Sequence, residues 1–396
     1  MTLLSVAEAH ARLMALFLPV GTEDVPLAGA AGRVLARDVV ATRPQPPFAA
    51  SAMDGYAIRA QDAEAGARLS VIGTSAAGAG FDGMVGAGEA VRIFTGAPVP
   101  QGADMILIQE DADRSAETIT IRESHDRSGF IRPAGADFAA GARMSAPRRL
   151  GVKDIALLAA MNAGVVTVSR RPRVALIPTG DELVMPGEAP ARDQILASNN
   201  LALKALLDSA GAEAQLLPIA RDTPESLAAA FDLAEGADAI VTLGGASVGD
   251  FDIVQATALA KGLTLDFYRV AMRPGKPLLA GRFGTVPLVG LPGNPVSAIV
   301  CGHLFLKPAV ERMLGLSGEL ARPLAARLGA ALGRNGPRAH YMRATVEAGR
   351  DGWLCTPFPR QDSALLSVLA DSNALLVRQP QDPERQIGDL VEFIWI

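Results

Sequence analysis

In "SVAEAHARLMALF", residues 5–17, apolar side chains recur at helical spacing with Glu, His and Arg between them. That predicts an amphipathic helix over 5–17 and not a secretory leader. "RVLARDVVAT" reads as a strand or a short helix–strand element. "RPQPPF" reads as a stiff extended connector, because successive prolines favour extended backbone. From 51 to 145 short apolar runs, among them "RLSVIG", "EAVRIFTGA", "DMILIQE" and "TITIRES", are broken by Gly, Asp and Pro, as in a small β-rich domain. Residues 149–169 read as a helix followed by a strand. Beyond 172 the texture changes: aliphatic strands alternate with helices, which predicts a doubly wound parallel sheet covered on both faces over 172–316. "HYMRATVEA", "WLCTPF", "NALLVRQP" and "LVEFIWI" then predict a small β-barrel-like domain over 317–396. The expected chain is multi-domain α/β plus β. Residues 1–50 and 146–171 form a linking domain with the N-terminal helix, followed in fold order by 51–145, 172–316 and 317–396.

Composition narrows the function. The 396 residues are 49% hydrophobic and only 5% aromatic, which suits aliphatic α/β layers. A net charge of −5 argues against a nucleic acid partner, though not against a local site for a small anion. Cys301 and Cys355 are too few and too far apart for a disulfide scaffold or a thiolate zinc site, so a reducing cytoplasm is expected. No stretch has the length and apolarity of a membrane span. His10, His125, His303 and His340 have no metal-ligand spacing.

Ligands of a doubly wound sheet bind beyond the carboxyl ends of its strands, so the strand-to-helix loops are the places to search. In "VTLGGASVGDFD", Gly244, Gly245 and Gly249 permit close approach of main-chain N–H groups to a phosphate, and Ser247 adds a hydroxyl. A plain tight turn is the alternative. In "VGLPGNPVSAI", Pro292, Asn294 and Pro295 frame a turn before a long helix, with Asn294 as its cap. "IPTGDELV" puts Asp181 and Glu182 at a strand end, where oxygen ligands suit Mg²⁺. Asp222 and Asp252 fit either a metal role or helix caps. In "YRVAMRPGKPLLAG", Arg269 and Arg273 are four apart and share a face of an extended segment, and with Lys276 they suit an oxyanion. Ser198 or Asn199 starts a helix that Gly211 ends.

"PPFAASAMDGYAI", "RIFTGAPVPQGAD", "IPTGDELV", "LGGASVGDFD", "MRPGKPLLAG" and "GLPGNPVSA" occur in one chain and in this order. Together they resemble the MoeA family, the molybdopterin molybdenumtransferases that include the gephyrin E domain, over essentially the whole length. The resemblance implies an elongated four-domain subunit with a MogA-like α/β domain, and a cytoplasmic homodimer with its active site between subunits. It implies insertion of molybdate into adenylated molybdopterin with release of AMP, and Mg²⁺ as cofactor. An adenylyltransferase and cofactor-acceptor proteins are the implied protein partners. By position, Asp54, Thr95, Asp137, Glu182, Asp222, Asp252, Pro292, Pro295, Arg343 and Ser363 match functional family positions. Arg269 and Arg273 stand where the family commonly has lysines, and Gln255 where a lysine often follows the acid at 252. A planar fork replaces a compact ammonium there. The competing readings are a MogA-type adenylyltransferase and a non-catalytic scaffold of the same fold.

Overall fold

The computed structural model describes residues 3–126, 128–244, 253–350 and 352–396. The chain divides into two compact units, Asp24–Val168 and the pair Met1–Glu23 with Ser169–Ile396.

In Asp24–Val168 six strands form one sheet. Their order is Met105–Ile108, Gly55–Ile58, Glu89–Ile93, Arg68–Ser75, Thr118–Ile121, Ala112–Ser115. Successive side chains of Gly55–Ile58 point to opposite faces, and both faces are buried. Tyr56 and Ile58 pack with Leu69, Leu107 and Ile119, whereas Ala57 packs with Val91, Ile93 and Ile106. The proline-rich stretch is more than a connector. The Gln45 N–H donates to the Phe138 carbonyl at 2.8 Å, and Ala50 and Ser51 pair with Arg132 and Ile131, so 45–51 lies in a ribbon with 131–138.

In the other unit the N-terminal helix is Val6–Leu16. Ser5 and Glu8 close a capping box at its start, and Ala9, Leu13 and Leu16 form its buried stripe. The α/β sheet runs Glu213–Leu216, Arg173–Pro178, Ala239–Leu243, Val286–Leu291, Leu279–Phe283, Thr264–Tyr268. The first four strands are parallel. Leu279–Phe283 is antiparallel to both neighbours, so the expectation of an all-parallel sheet holds only on one side. The reason is local. Phe283 pairs with Val286 across a two-residue turn in which Gly284 has φ +58°, and a turn that short joins only antiparallel strands.

The expected long helix after "LPGNP" forms over residues 295–313, with a π-helical turn inside it. Pro295–Cys301 and Lys307–Met313 flank a π-helical turn, Gly302–Leu306, where the Lys307 N–H reaches back to the Gly302 carbonyl. Pro308 has no N–H for the next α-type bond, and the wider turn absorbs that gap. The helix Asn199–Ala210 ends as expected at Gly211, φ +107°.

The five strands Leu324–Leu328, Ala339–Gly349, Gly352–Pro357, Ala374–Arg378 and Leu390–Trp395 close into a barrel. Ala339–Gly349 pairs with both Gly352–Pro357 and Ala374–Arg378. Leu328, Ala344, Leu376 and Phe393 fill its interior. Met272–Arg273 adds to this barrel in parallel, opposite Ala339 and His340. The segment between the last two sheet strands is therefore stitched to the barrel and is not an independent extended edge.

Candidate active site

The carboxyl ends of Arg173–Pro178, Ala239–Leu243 and Val286–Leu291 open on one cavity of about 560 Å³. The first two of these strands flank the point where the strand order reverses, where open α/β sheets take their ligands. Glu182, Asp222, Gly244, Pro292, Asn294 and Pro295 all line it. Three separate turns of the sequence are thus brought together. Gly244 has φ +103°, and a Cβ there would lie 2.6 Å from the Thr179 carbonyl oxygen. Gly180 has φ +145°, and the Glu182 carboxylate lies over it: a Cβ on Gly180 would come within 2.5 Å of Glu182 Oε2. Gly245, Ser247, Gly249 and Asp252 lie outside the described residues.

Helix caps are assigned differently from the expectation. Thr223, not Asp222, caps Pro224–Leu233, its hydroxyl accepting from the Ser226 N–H at 3.2 Å. Asp222 is left free of a capping role and turns to the cavity. Asn294 and Ser198 hold the N-cap positions of their helices, yet neither side chain makes a capping bond, and both line the cavity. Asn199 was read only as a helix start. Its Nδ2 donates to the Gly293 carbonyl at 2.6 Å, joining two walls of the cavity. The exposed Ile195 and Leu196 form an apolar lip. Side-chain amides after a strand pair were the only sequence signal for this wall, and cap chemistry masks it.

Solvent reaches Asp222, but partial desolvation, then the Asp181 and Glu182 carboxylates, raise its pKa above the ordinary value. A carboxyl raised on folding favours the protonated form. Its stabilisation is complete below the ordinary carboxylate range and is lost as pH rises through the raised value. Asp222→Asn is therefore expected to melt ~1–2 °C above the parent at pH 7 in chelator, with the gap closing as pH falls into the acid range. Thermal scans across pH check this, and an equal or lower Tm at pH 7 contradicts it.

A second cavity, about 290 Å³, meets the first at Pro277 and is lined by Arg273, Lys276, Ser297, Arg338, Gln361 and Ser363. Arg338 was not singled out in the sequence, where an arginine in a loop looks like any solvated charge. Arg269 does not line either cavity. Its φ of +82° turns the side chain onto Tyr268, with the guanidinium carbon 4.9 Å from the ring centroid, so the shared face expected for Arg269 and Arg273 does not form. Arg343 is 1% exposed and grips the loop that carries Ser363. Its Nε donates to Gln361 Oε1 at 3.1 Å and its Nη1 to the Asp362 carbonyl at 2.9 Å. The Ser363 carbonyl then accepts the Val296 N–H at 3.1 Å, which ties that loop to the "LPGNP" helix. Arg343 thus holds this loop and itself lines neither cavity. Burial, then the cations Arg273, Arg343, Arg378 and Arg338, push His340 down to about 4, so it is neutral at physiological pH.

Asp54 and Thr95 belong to Asp24–Val168, where they meet directly. The Thr95 N–H and hydroxyl both donate to Asp54 Oδ1 at 2.7 Å. These two bonds, main chain first, hold the Asp54 carboxyl below its ordinary value, with a smaller effect of Arg92. Asp137 is exposed at a bend of the proline ribbon, its N–H donating to the Gln45 carbonyl at 2.9 Å. It makes no hydrogen bond to Asp54 or Thr95.

The fold and site define a multi-domain α/β enzyme with an acid- and glycine-lined crevice next to a basic one. Family models match nearly the whole chain. They are the MoeA N-terminal region (domain I and II) over residues 4–162, a "Probable molybdopterin binding domain" over 175–312 and the MoeA C-terminal region (domain IV) over 325–396. A molybdopterin molybdenumtransferase of Nostoc sp. is 38% identical over 306 residues, covering 75% of this chain and 70% of the relative. Molybdopterin molybdenumtransferase 2 of Mycobacterium tuberculosis is 36% identical over 369 residues, covering 89% of each. The crystal structure of a molybdopterin biosynthesis MoeA protein from Pyrococcus horikoshii superposes with a TM-score of 0.85 at 30% identity, over 100% of this chain and 99% of that one. The chain belongs to the MoeA family of molybdopterin molybdenumtransferases.

Proposed function

We propose that this enzyme transfers molybdenum from molybdate into adenylated molybdopterin and releases AMP. The observation that carries the reading is the meeting at Pro277 of two unlike cavities, one acidic and glycine-lined, the other basic. Such a pair suits a ligand with a phosphate at one end and a tetrahedral oxyanion beside its other end. The adenylyltransferase reading leaves the regions matched over 4–162 and 325–396 without a role. The scaffold reading leaves the acids Glu182 and Asp222 without one.

In the acidic cavity the main chain at Gly244 approaches the phosphate, and Asn294 and Asn199 orient its neighbours. In the basic cavity Arg273, Lys276 and Ser363 attract the oxyanion. Glu182 and Asp222 fit Mg²⁺, a hard cation bound through few carboxylates with retained waters. Desolvation first, then the neighbouring Asp181 and Glu182 carboxylates, raise the Asp222 pKa, and a bound cation would offset the second of these causes. Among the described residues no three His, Cys, Asp or Glu side chains form a ready-made metal cluster, so the carboxylates would share the ion with water and ligand oxygens. When bound, Mg²⁺ would supply positive charge to the phosphate oxygens. Asp54, held ionised by Thr95, would accept a hydrogen bond from water or ligand. A homodimer completes the reading, with the preceding adenylyltransferase and cofactor-accepting enzymes as transient partners. The buried thiols of Cys301 and Cys355 suit a cytoplasmic location, and no helix of the described residues is long and apolar enough to cross a membrane.

The test is AMP release from adenylated molybdopterin. It is expected to require both molybdate and Mg²⁺ and to stop on chelation. Pyrophosphate formation from molybdopterin and ATP, with no molybdate-dependent AMP, would assign the chain to the adenylyltransferase reaction instead.

A further inference from the structure

Arg92 lies in the strand Glu89–Ile93 beside the buried Val91 and Ile93, directly opposite Tyr56 of Gly55–Ile58. Its Nη1 donates to the Gly55 carbonyl at 3.1 Å and its Nη2 to Gln109 Oε1 at 2.7 Å. The main-chain N–H of Gln109 in turn donates to the Asp54 carbonyl at 3.1 Å. The guanidinium is held between two rings, 5.1 Å from the Tyr56 centroid and 4.9 Å from that of Phe94. Two consecutive carbonyls, those of Asp54 and Gly55, are therefore gripped by one closed arrangement of Arg92 and Gln109. Gly55 permits it, because any Cβ there would collide with the Leu107 carbonyl.

We propose that Arg92 is the positioning residue of the Asp54 site. It fixes the Asp54–Gly55 main chain so that Oδ1 is committed to Thr95 and Oδ2 is presented to a proton-bearing ligand atom. The proposal rests on the reading that Asp54 acts in turnover. A planar fork suits this arrangement, since Nη1 and Nη2 reach the Gly55 carbonyl and the Gln109 side chain separately while the guanidinium lies over both rings. Arg92 is the charged group whose field reaches Asp54, and the Gln109 amide it holds also donates to the Glu110 carboxylate at 3.2 Å. Thr95 contacts Asp54 without charge, and Tyr56 and Phe94 flank Arg92.

The test uses the full-length protein with Arg92→Lys, Arg92→Met and Asp54→Asn. Circular dichroism establishes that each variant is folded. The Asp54 carboxyl is followed by ¹³C NMR titration, its signal assigned by loss in Asp54→Asn, and kcat and KM for molybdate come from AMP release. Arg92→Lys keeps the charge and loses the fork. It is expected to titrate near the parent but to lose about 10- to 100-fold in kcat, with KM changed far less. Arg92→Met is expected to lose as much and to raise the Asp54 titration slightly, because Arg92 is the smallest of its causes and the two Thr95 bonds are the largest. Full kcat in Arg92→Lys, or an unmoved titration with full kcat in Arg92→Met, overturns the proposal while leaving Asp54 its role. Full turnover by Asp54→Asn overturns the underlying reading, and the proposal with it.

Discussion

Glu182→Ala is expected to lose about 10²–10³-fold in molybdate-dependent AMP release while melting within ~1–2 °C of the parent. The split between activity and stability follows from where the side chain sits. The Glu182 carboxylate lines the cavity and makes no hydrogen bond among the described residues, so its removal leaves no buried partner unsatisfied. The main chain at this point is held independently. The Ile195 N–H donates to the Glu182 carbonyl at 2.8 Å, and Leu183–Val184 pairs in parallel with Ile195–Leu196. A second readout separates the charge of Glu182 from its shape. Glu182 is one of the two carboxylates that raise Asp222, so Glu182→Gln should bring the Asp222 titration down toward its ordinary value. Substantial turnover by Glu182→Ala with Mg²⁺ and adenylated substrate would remove Glu182 from the chemistry. A collapse in Tm would make it structural instead.

What could be read before the structure follows from which interactions are local. Strand ends marked by Gly244, Gly180 and the "LPGNP" turn were legible, because a glycine or proline restricts its own backbone whatever surrounds it. Their convergence on one cavity followed from the rule for doubly wound sheets. Helix ends were harder. Asp222 and Thr223 are adjacent and both are cap formers, and only the observed backbone tells which of the two side chains reaches the Ser226 N–H. Arg269 and Arg273 were placed on one face by strand periodicity. That periodicity fails once Arg269 takes a left-handed conformation and Met272–Arg273 joins the barrel, a pairing with residues nearly 70 positions away. The reversal of Leu279–Phe283 was recoverable from the turn at Gly284, but its short apolar run resembles any buried strand. Arg92 was invisible for a different reason. One arginine in a short strand reads as an edge charge until the two aromatic rings and the adjoining main chain are seen around it.

The second large effect belongs to Gly244→Ala, which is expected to destabilise the α/β domain by about 2–5 kcal/mol and to abolish ligand binding in the acidic cavity. Two causes act at the same atom. A non-glycine residue held at φ +103° carries a strain of about 1–2 kcal/mol. The added Cβ would also stand 2.6 Å from the Thr179 carbonyl oxygen and 2.9 Å from its Oγ1, an overpacking that costs about 1–3 kcal/mol. Neither side can yield without loss. The Gly244 N–H donates to the Leu291 carbonyl at 3.1 Å, and the Thr179 N–H to that of Leu243 at 2.9 Å. Separating Thr179 from residue 244 therefore pulls apart three strand ends at once, and these are the ends that frame the cavity. The expected readouts are a Tm lower by about 5–15 °C and loss of AMP release under conditions where the protein is still folded. Because the strain acts on the native state, the cost should appear mainly as faster unfolding if these strand ends close late in folding. A Gly244→Ala protein with parental Tm and turnover would mean that the strand ends tolerate a side chain there, and the close approach of main chain to ligand at this turn would have to be abandoned.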